Sequence, residues 1–228
     1  MKTIKLILPL LVVLLIFSCE KDNNIPLNQQ QVDGLAGNPF LENFGDSIEA
    51  RFIGSVINEE GNPVVGASIT IGNMMAITDA NGVFSIESAT VYEKFAYVKA
   101  SKVGFIDGSR SLVPTSGVNQ VVIMLLDADP NGTIGAGQPF SLSLPNGTSV
   151  NFSGDFQTAN GFEYLGNVQV VLKHLNPDNE AMALQMPGAL IAENINGDLQ
   201  ALETYGMIAV KLIGENGEVL NIAEGTTA

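Results

Sequence analysis

Residues able to do chemistry are few in this chain. It holds one histidine, His174, and one cysteine, Cys19, in 228 residues. One thiol cannot close a disulfide, and a single Cys with a single His cannot assemble a Cys/His metal site. Acid–base work by His174 would need a nucleophile or carboxylate held against the imidazole. Its spacing instead places it on one strand face with Val168, Val170 and Leu172, ending before Asn176-Pro177, which suits a structural or surface histidine. Carboxylates are plentiful, and Asp155, Glu163, Asp178 and Glu180 gather in the last third, where a pair could in principle serve glycoside hydrolysis. With 24 acids in the chain such groups arise freely, so the expectation is a protein that is not an enzyme.

Binding chemistry has three candidates. Asp127-Ala128-Asp129-Pro130-Asn131-Gly132 opens like a calcium loop, with oxygen ligands on Asp127, Asp129 and Asn131 and Gly at the sixth place. The twelfth place is the neutral Gln138, so a structural calcium stands beside a plain solvated turn. No other cofactor is expected, and no GxxxxGK phosphate loop occurs. Sugar stacking would call on exposed aromatic faces; the chain has no Trp and four Tyr, of which Tyr97, predicted to face outward, is the best placed. The third candidate is the whole charged surface: 24 acidic against 10 basic residues, a formal charge of −14, repels phosphate backbones and excludes nucleic acid as a partner. At 46% hydrophobic the chain is also too apolar for general disorder.

The N-terminus predicts a processed leader. Lys2 and Lys5 precede a 12-residue apolar run, Leu6 to Phe17, too short for a spanning helix of roughly 20 residues. Ile16-Phe17-Ser18-Cys19 resembles the lipobox of bacterial lipoproteins, which implies that residues 1–18 are a signal peptide and that Cys19 becomes the lipidated N-terminus. Glu20, Lys21 and Asp22 resemble the short sorting tag of Bacteroidota lipoproteins carried to the cell surface. The resemblance implies an outer-membrane lipid anchor, surface-exposed or otherwise facing the periplasm. Residues 19–48, rich in Asn, Gln, Pro and Gly, read as a polar tether. Removing the leader takes two lysines and leaves −16, distributed as −4 over 19–48, −3 over 49–127, −1 over 128–138 and −8 over 139–228.

From residue 49 the hydrophobic period is two. Ala67, Ile69 and Ile71 alternate with Ser68 and Thr70; Ala96, Val98 and Ala100 alternate with Tyr97 and Lys99. Glu60-Gly61-Asn62-Pro63 and Asp79-Ala80-Asn81-Gly82 supply turn chemistry and predict two hairpins. Gln120 to Leu126 is apolar on both faces, as a central strand would be. Residues 128–138 read as a linker, and 139–228 resume alternation at Phe140, Leu142 and Leu144, then Val150 and Phe152. The expected fold is all-β: a sandwich over 49–127 and a second β-rich block over 139–228, read as cut short.

Gly54-Ser55-Val56-Ile57, Glu60 to Ala67, Thr78 to Phe84 and Ala100 to Phe105 together resemble the carboxypeptidase regulatory-like domain. That resemblance implies a transthyretin-like, Ig-like β-sandwich without catalytic activity, with Phe84 and Phe105 in its core. The functional expectation is a spacer, adhesion or protein-interaction element held to the membrane through Cys19, with an unknown protein or glycan partner. The alternative is a glycan-binding accessory to a polysaccharide uptake system.

Overall fold

Alternating side chains oblige the chain to form sheets with one oily face, and the molecule is built from two such blocks. The computed structural model describes residues 43–188 and 190–225. The first block comprises β1 (Ser47–Ile57), β2 (Ser68–Ile71), β3 (Met74–Ile77), β4 (Val83–Tyr92), β5 (Ala96–Ser101), β6 (Phe105–Ile106), β7 (Gly108–Leu112), β8 (Val118–Met124) and β9 (Leu126–Asp127). A three-stranded sheet in the order β4-β1-β8 faces a four-stranded sheet in the order β3-β2-β5-β7, and β6 pairs with β9. β1 runs antiparallel to β4 but parallel to β8. Between the two sheets lie Phe52, Val56, Ile69, Ile71, Phe84, Val98 and Ile123, all buried, with Phe105 partly buried against them. At about 1.5–3 kcal/mol per buried large apolar side chain, this core is the main support of the block.

Turn chemistry was legible, but its topological use differs from a hairpin. Asp79 Oδ1 accepts from Asn81 N and Val83 N at 2.8 and 2.9 Å, closing a tight turn. β3 and β4 nevertheless belong to different sheets, so the turn is a corner that carries the chain across the sandwich. The turn before β2 likewise crosses between sheets, with a single bridge from Ile57 to Pro63. Thr78, buried, ties both corners together: its hydroxyl accepts from Ala67 N at 2.8 Å and donates to Val64 O at 2.7 Å. The run from Gln120 to Leu126 is also not a central strand. β8 ends its sheet, with Val122 outward and Ile123 in the core. The run is apolar on both faces because Met124 and Leu126 leave the first core and enter a separate cluster between the blocks.

The second block comprises β10 (Gly132–Gly135), β11 (Phe140–Ser143), β12 (Ser149–Phe152), β13 (Phe156–Thr158), β14 (Glu163–Tyr164), β15 (Asn167–Leu175), the single-turn α1 (Met182–Gln185), β16 (Ile191–Glu193), β17 (Leu199–Ala201), β18 (Met207–Ile213) and β19 (Val219–Ile222). Six strands form one sheet in the order β10-β15-β18-β19-β13-β14, and the β11–β12 hairpin covers its inner face through Leu142 and Phe152. Residues 128–138 were expected as a linker; instead β10 within them pairs antiparallel with β15 and buries Ile134 against Val168 and Val170. Its one buried side chain between Gly132 and Gly135 is too little alternation to announce a strand.

The inner face of β15 carries Val168, Val170 and Leu172 into the second core, whereas Val171, Lys173 and Leu175 point the other way. Leu175 joins Met124 and Leu126, with Ile57, Ile106, Leu184 and Met207 packed around them. The two β blocks therefore share an apolar seam, and the described residues lie within one compact unit.

Candidate functional site

Cys19, Glu20, Lys21 and Asp22 lie outside the described residues. The other candidates fall at separate places. Tyr97 projects from β5, 45% exposed, on the outer face of the four-stranded sheet. Phe95 lies beside it at 6.5 Å between ring centres and 12° between planes, and Phe44 stacks on Phe95 at 4.4 Å. Gly188 approaches this row, its N–H donating to Ser109 O at 3.1 Å. Arg110, next along β7, donates to the carbonyls of Leu184 and Met186, so the end of α1 and the residue after it are strapped across the edge of the first block. Burial disfavours the charged form of that guanidinium, and the two carbonyl contacts offset the cost.

His174 is exposed near the end of β15, opposite Ile208, as the alternation predicts. It lines an open depression of about 600 Å³ with Thr148, Ser149 and Tyr205. No carboxylate is among those lining residues, so no group there orients the imidazole for general base work.

In the calcium-like stretch Asp127 belongs to a strand and the Asn131 oxygen is engaged in the sheet. Asp127 ends β9 opposite Phe105, and its N–H donates to Glu59 Oε2 at 3.0 Å. Asn131 Oδ1 accepts from Leu172 N at 2.5 Å, so that oxygen serves the edge of β15. Among the described residues no group of three or more His, Cys, Asp or Glu is placed to hold a metal ion. Burial, and then the charges of Glu60, Glu59 and Asp129, raise the Asp127 carboxyl above the usual carboxylate range, with Lys173 acting against them. The folded protein thus binds this proton more tightly than the unfolded chain, and stability falls as pH rises through the window above the ordinary carboxylate value. Asp127→Asn is expected to melt higher than wild type at pH 7, with the difference vanishing below about pH 3. Thermal melts across that range read the effect; a difference independent of pH would show that the carboxylate charge is not its origin.

Of the four clustered acids, two come together. Gln157 pairs with Glu163 and Phe156 with Tyr164 across β13 and β14. Partners directly opposite share a face, so Phe156 and Tyr164 turn into the core while Gln157 and Glu163 turn outward. By the same register Asp155 and Leu165 share the outward face, and Asp155, Gln157, Glu163 and Leu165 line a cleft of about 300 Å³. Asp178 and Glu180 sit elsewhere, exposed in the turn before α1.

No family model matches the chain, and no curated protein matches it. Among solved structures it is similar to the Bacillus anthracis TIE protein at 10% identity and a TM-score of 0.29, covering 76% of this chain and 43% of that one. It is similar also to a streptococcal ancillary pilin at 11% identity and a TM-score of 0.25, covering 76% of this chain and 50% of that one. The chain thus spans half or less of the length of these two structures.

Sequence reasoning passed over the residues that join the blocks. Lys173 Nζ pairs with Glu59 Oε2 at 2.8 Å, and Lys211 Nζ donates to Phe105 O at 2.6 Å. One signal was available: residues 139–228 contain only these two basic side chains, and Lys173 falls out of phase with the Val168, Val170, Leu172 face. A lone cation in each of two apolar strands points to a second covered face.

Proposed function

We propose that the chain is a non-catalytic, lipid-anchored protein of the bacterial cell envelope, displayed at the surface, whose β blocks form a stiff spacer and protein-interaction element. The observation that carries this reading is the seam between the blocks: an apolar cluster with a half-buried ion pair and a lysine-to-carbonyl bond, which makes a tandem of β blocks a single bearing piece. A flexible linker would let the blocks move independently; β10 and the seam replace it with sheet. The lipobox-like Ile16 to Cys19 and the Glu20, Lys21, Asp22 tag support the anchor and its outward sorting. Two acyl chains, at about 0.8 kcal/mol per buried CH₂, suffice for stable attachment. The carboxypeptidase regulatory-like pattern supports a module without chemistry of its own.

Cys19→Ala is expected to abolish incorporation of labelled palmitate and to move the protein from the membrane to the soluble fraction. Wild type should be removed from intact cells by added protease. Membrane retention of Cys19→Ala would overturn the lipid anchor, and complete protection from protease would overturn surface display.

Glycan binding is the second reading, favoured by the parallel rings of Phe95 and Tyr97. Binding on a glycan array that is lost in Tyr97→Ala would establish it.

A further inference from the structure

The outer face of the six-stranded sheet is divided in two. On β15 and β18 it bears Val171, Lys173 and Leu175 opposite Lys211, Ala209 and Met207. That half is covered by the first block, which receives the lysines on Glu59 and the Phe105 carbonyl and the apolar side chains in the seam. The same face continues onto β19, β13 and β14, where Gln157 lies between Asn221 and Glu163. Nothing among the described residues covers this second half. Its side chains are Asp155, Gln157, Glu163, Leu165 and Asn221, together with Val219, which pairs with Ile213 on the same face.

Charge on the two halves is of opposite sign. Residues 139–225 hold ten acidic side chains, and both basic ones are spent in the seam. No ion pair among the described residues neutralises any of the ten. The open half therefore presents Asp155 and Glu163 with no cation of the block beside them. It also exposes apolar surface: Val219 is 54% and Leu165 77% exposed. Apolar side chains beside unpaired charge suit a protein interface, the charge setting which partner is accepted. β14 is the terminal strand of the sheet, so its backbone edge is open to a further strand.

We propose that this open half is a docking surface for an extended, cationic and amphipathic segment of a partner protein, lysine or arginine lying against Asp155 and Glu163 and apolar residues against Val219 and Leu165. The inference rests on the non-catalytic interaction reading and names the chemistry of its partner. It follows from continuity with the seam: the first block occupies the half that carries lysines by offering acid and carbonyl, and the remaining half asks for the reverse.

The full chain is titrated with a peptide alternating valine and lysine, with its valine–glutamate counterpart, and with spermine, at low and at high salt. The valine–lysine peptide is expected to bind at least about tenfold more tightly than either control and to weaken with salt. Asp155→Asn with Glu163→Gln is expected to weaken it about tenfold or more, as is Val219→Ser with Leu165→Ser, whereas Asp178→Asn with Glu180→Gln leaves it unchanged. These side chains are at the surface, and unchanged melting temperatures verify the folds. Equal binding by both peptides, no loss in the Asp155 and Glu163 variant, or spermine matching the peptide would each overturn the proposal. None of those outcomes bears on the palmitate and fractionation results, so the anchored-envelope reading fails or stands separately.

Discussion

Leu175→Ala is expected to lower the stability of the whole chain by about 2–5 kcal/mol. Leu175 is 2% exposed on the face of β15 that meets the first block, against Met124 and Leu126. Truncation removes its transfer free energy and leaves a cavity that two sheets, each held by its own ladder, cannot collapse to fill. Unfolding in denaturant, followed by a probe in each block, is the measurement. Wild type should lose both signals in one transition, and Leu175→Ala should shift both midpoints together or split them, with the second block leaving first. A midpoint change confined to one block, with the other unmoved from wild type, would mean that the seam transmits no stability. The same seam makes the Lys173 and Glu59 pair more than a surface ion pair: both side chains are about three-quarters covered, and removing Lys173 would leave Glu59 facing the like charges of Asp127 and Glu60.

The second large effect is expected at a turn. Gly72→Ala should cost roughly 3 kcal/mol or more, by a left-handed backbone at φ +52° that disfavours a side chain and by a collision with the sandwich. A Cβ there would stand 1.9 Å from the Thr90 carbonyl oxygen, so β4 or the β2–β3 turn must move. Gly61→Ala is the comparison: its φ is +80°, but nothing lies within 4 Å of the added carbon. It should cost only about 1 kcal/mol, the conformational part alone. Chemical denaturation of the two variants separates the terms, and equal losses would show that the contact with Thr90 is not what demands glycine at 72.

Much of the strand content was readable because a sheet with one buried face writes its period into the chain. Ala67, Ile69, Ile71, Ala96, Val98, Ala100, Phe84 and Phe152 are buried as their alternation requires. The outward placement of Tyr97 and the face of His174 follow from the same parity. Partnership was not readable. The Asp79 to Gly82 turn has identical chemistry whether it joins paired strands or opposite sheets, since a turn reverses direction and says nothing about which ladder the next strand enters. β10 escaped notice because four residues between glycines carry one core contact. Lys173 and Lys211 looked like ordinary strand cations because the face they occupy acquires meaning only when another block covers it.

By itself the sequence determined the all-β architecture and the acidity concentrated in residues 139–228, because these depend on composition and period alone. Tertiary structure decided which acids stand together, which cations are consumed, and which half of a sheet is left open. Those are consequences of register and of long-range packing, where residues such as Glu59 and Lys173, 114 apart in the chain, meet at 2.8 Å. Local periodicity holds no information about such pairs, because the ladder that joins them is chosen by burial over the whole molecule.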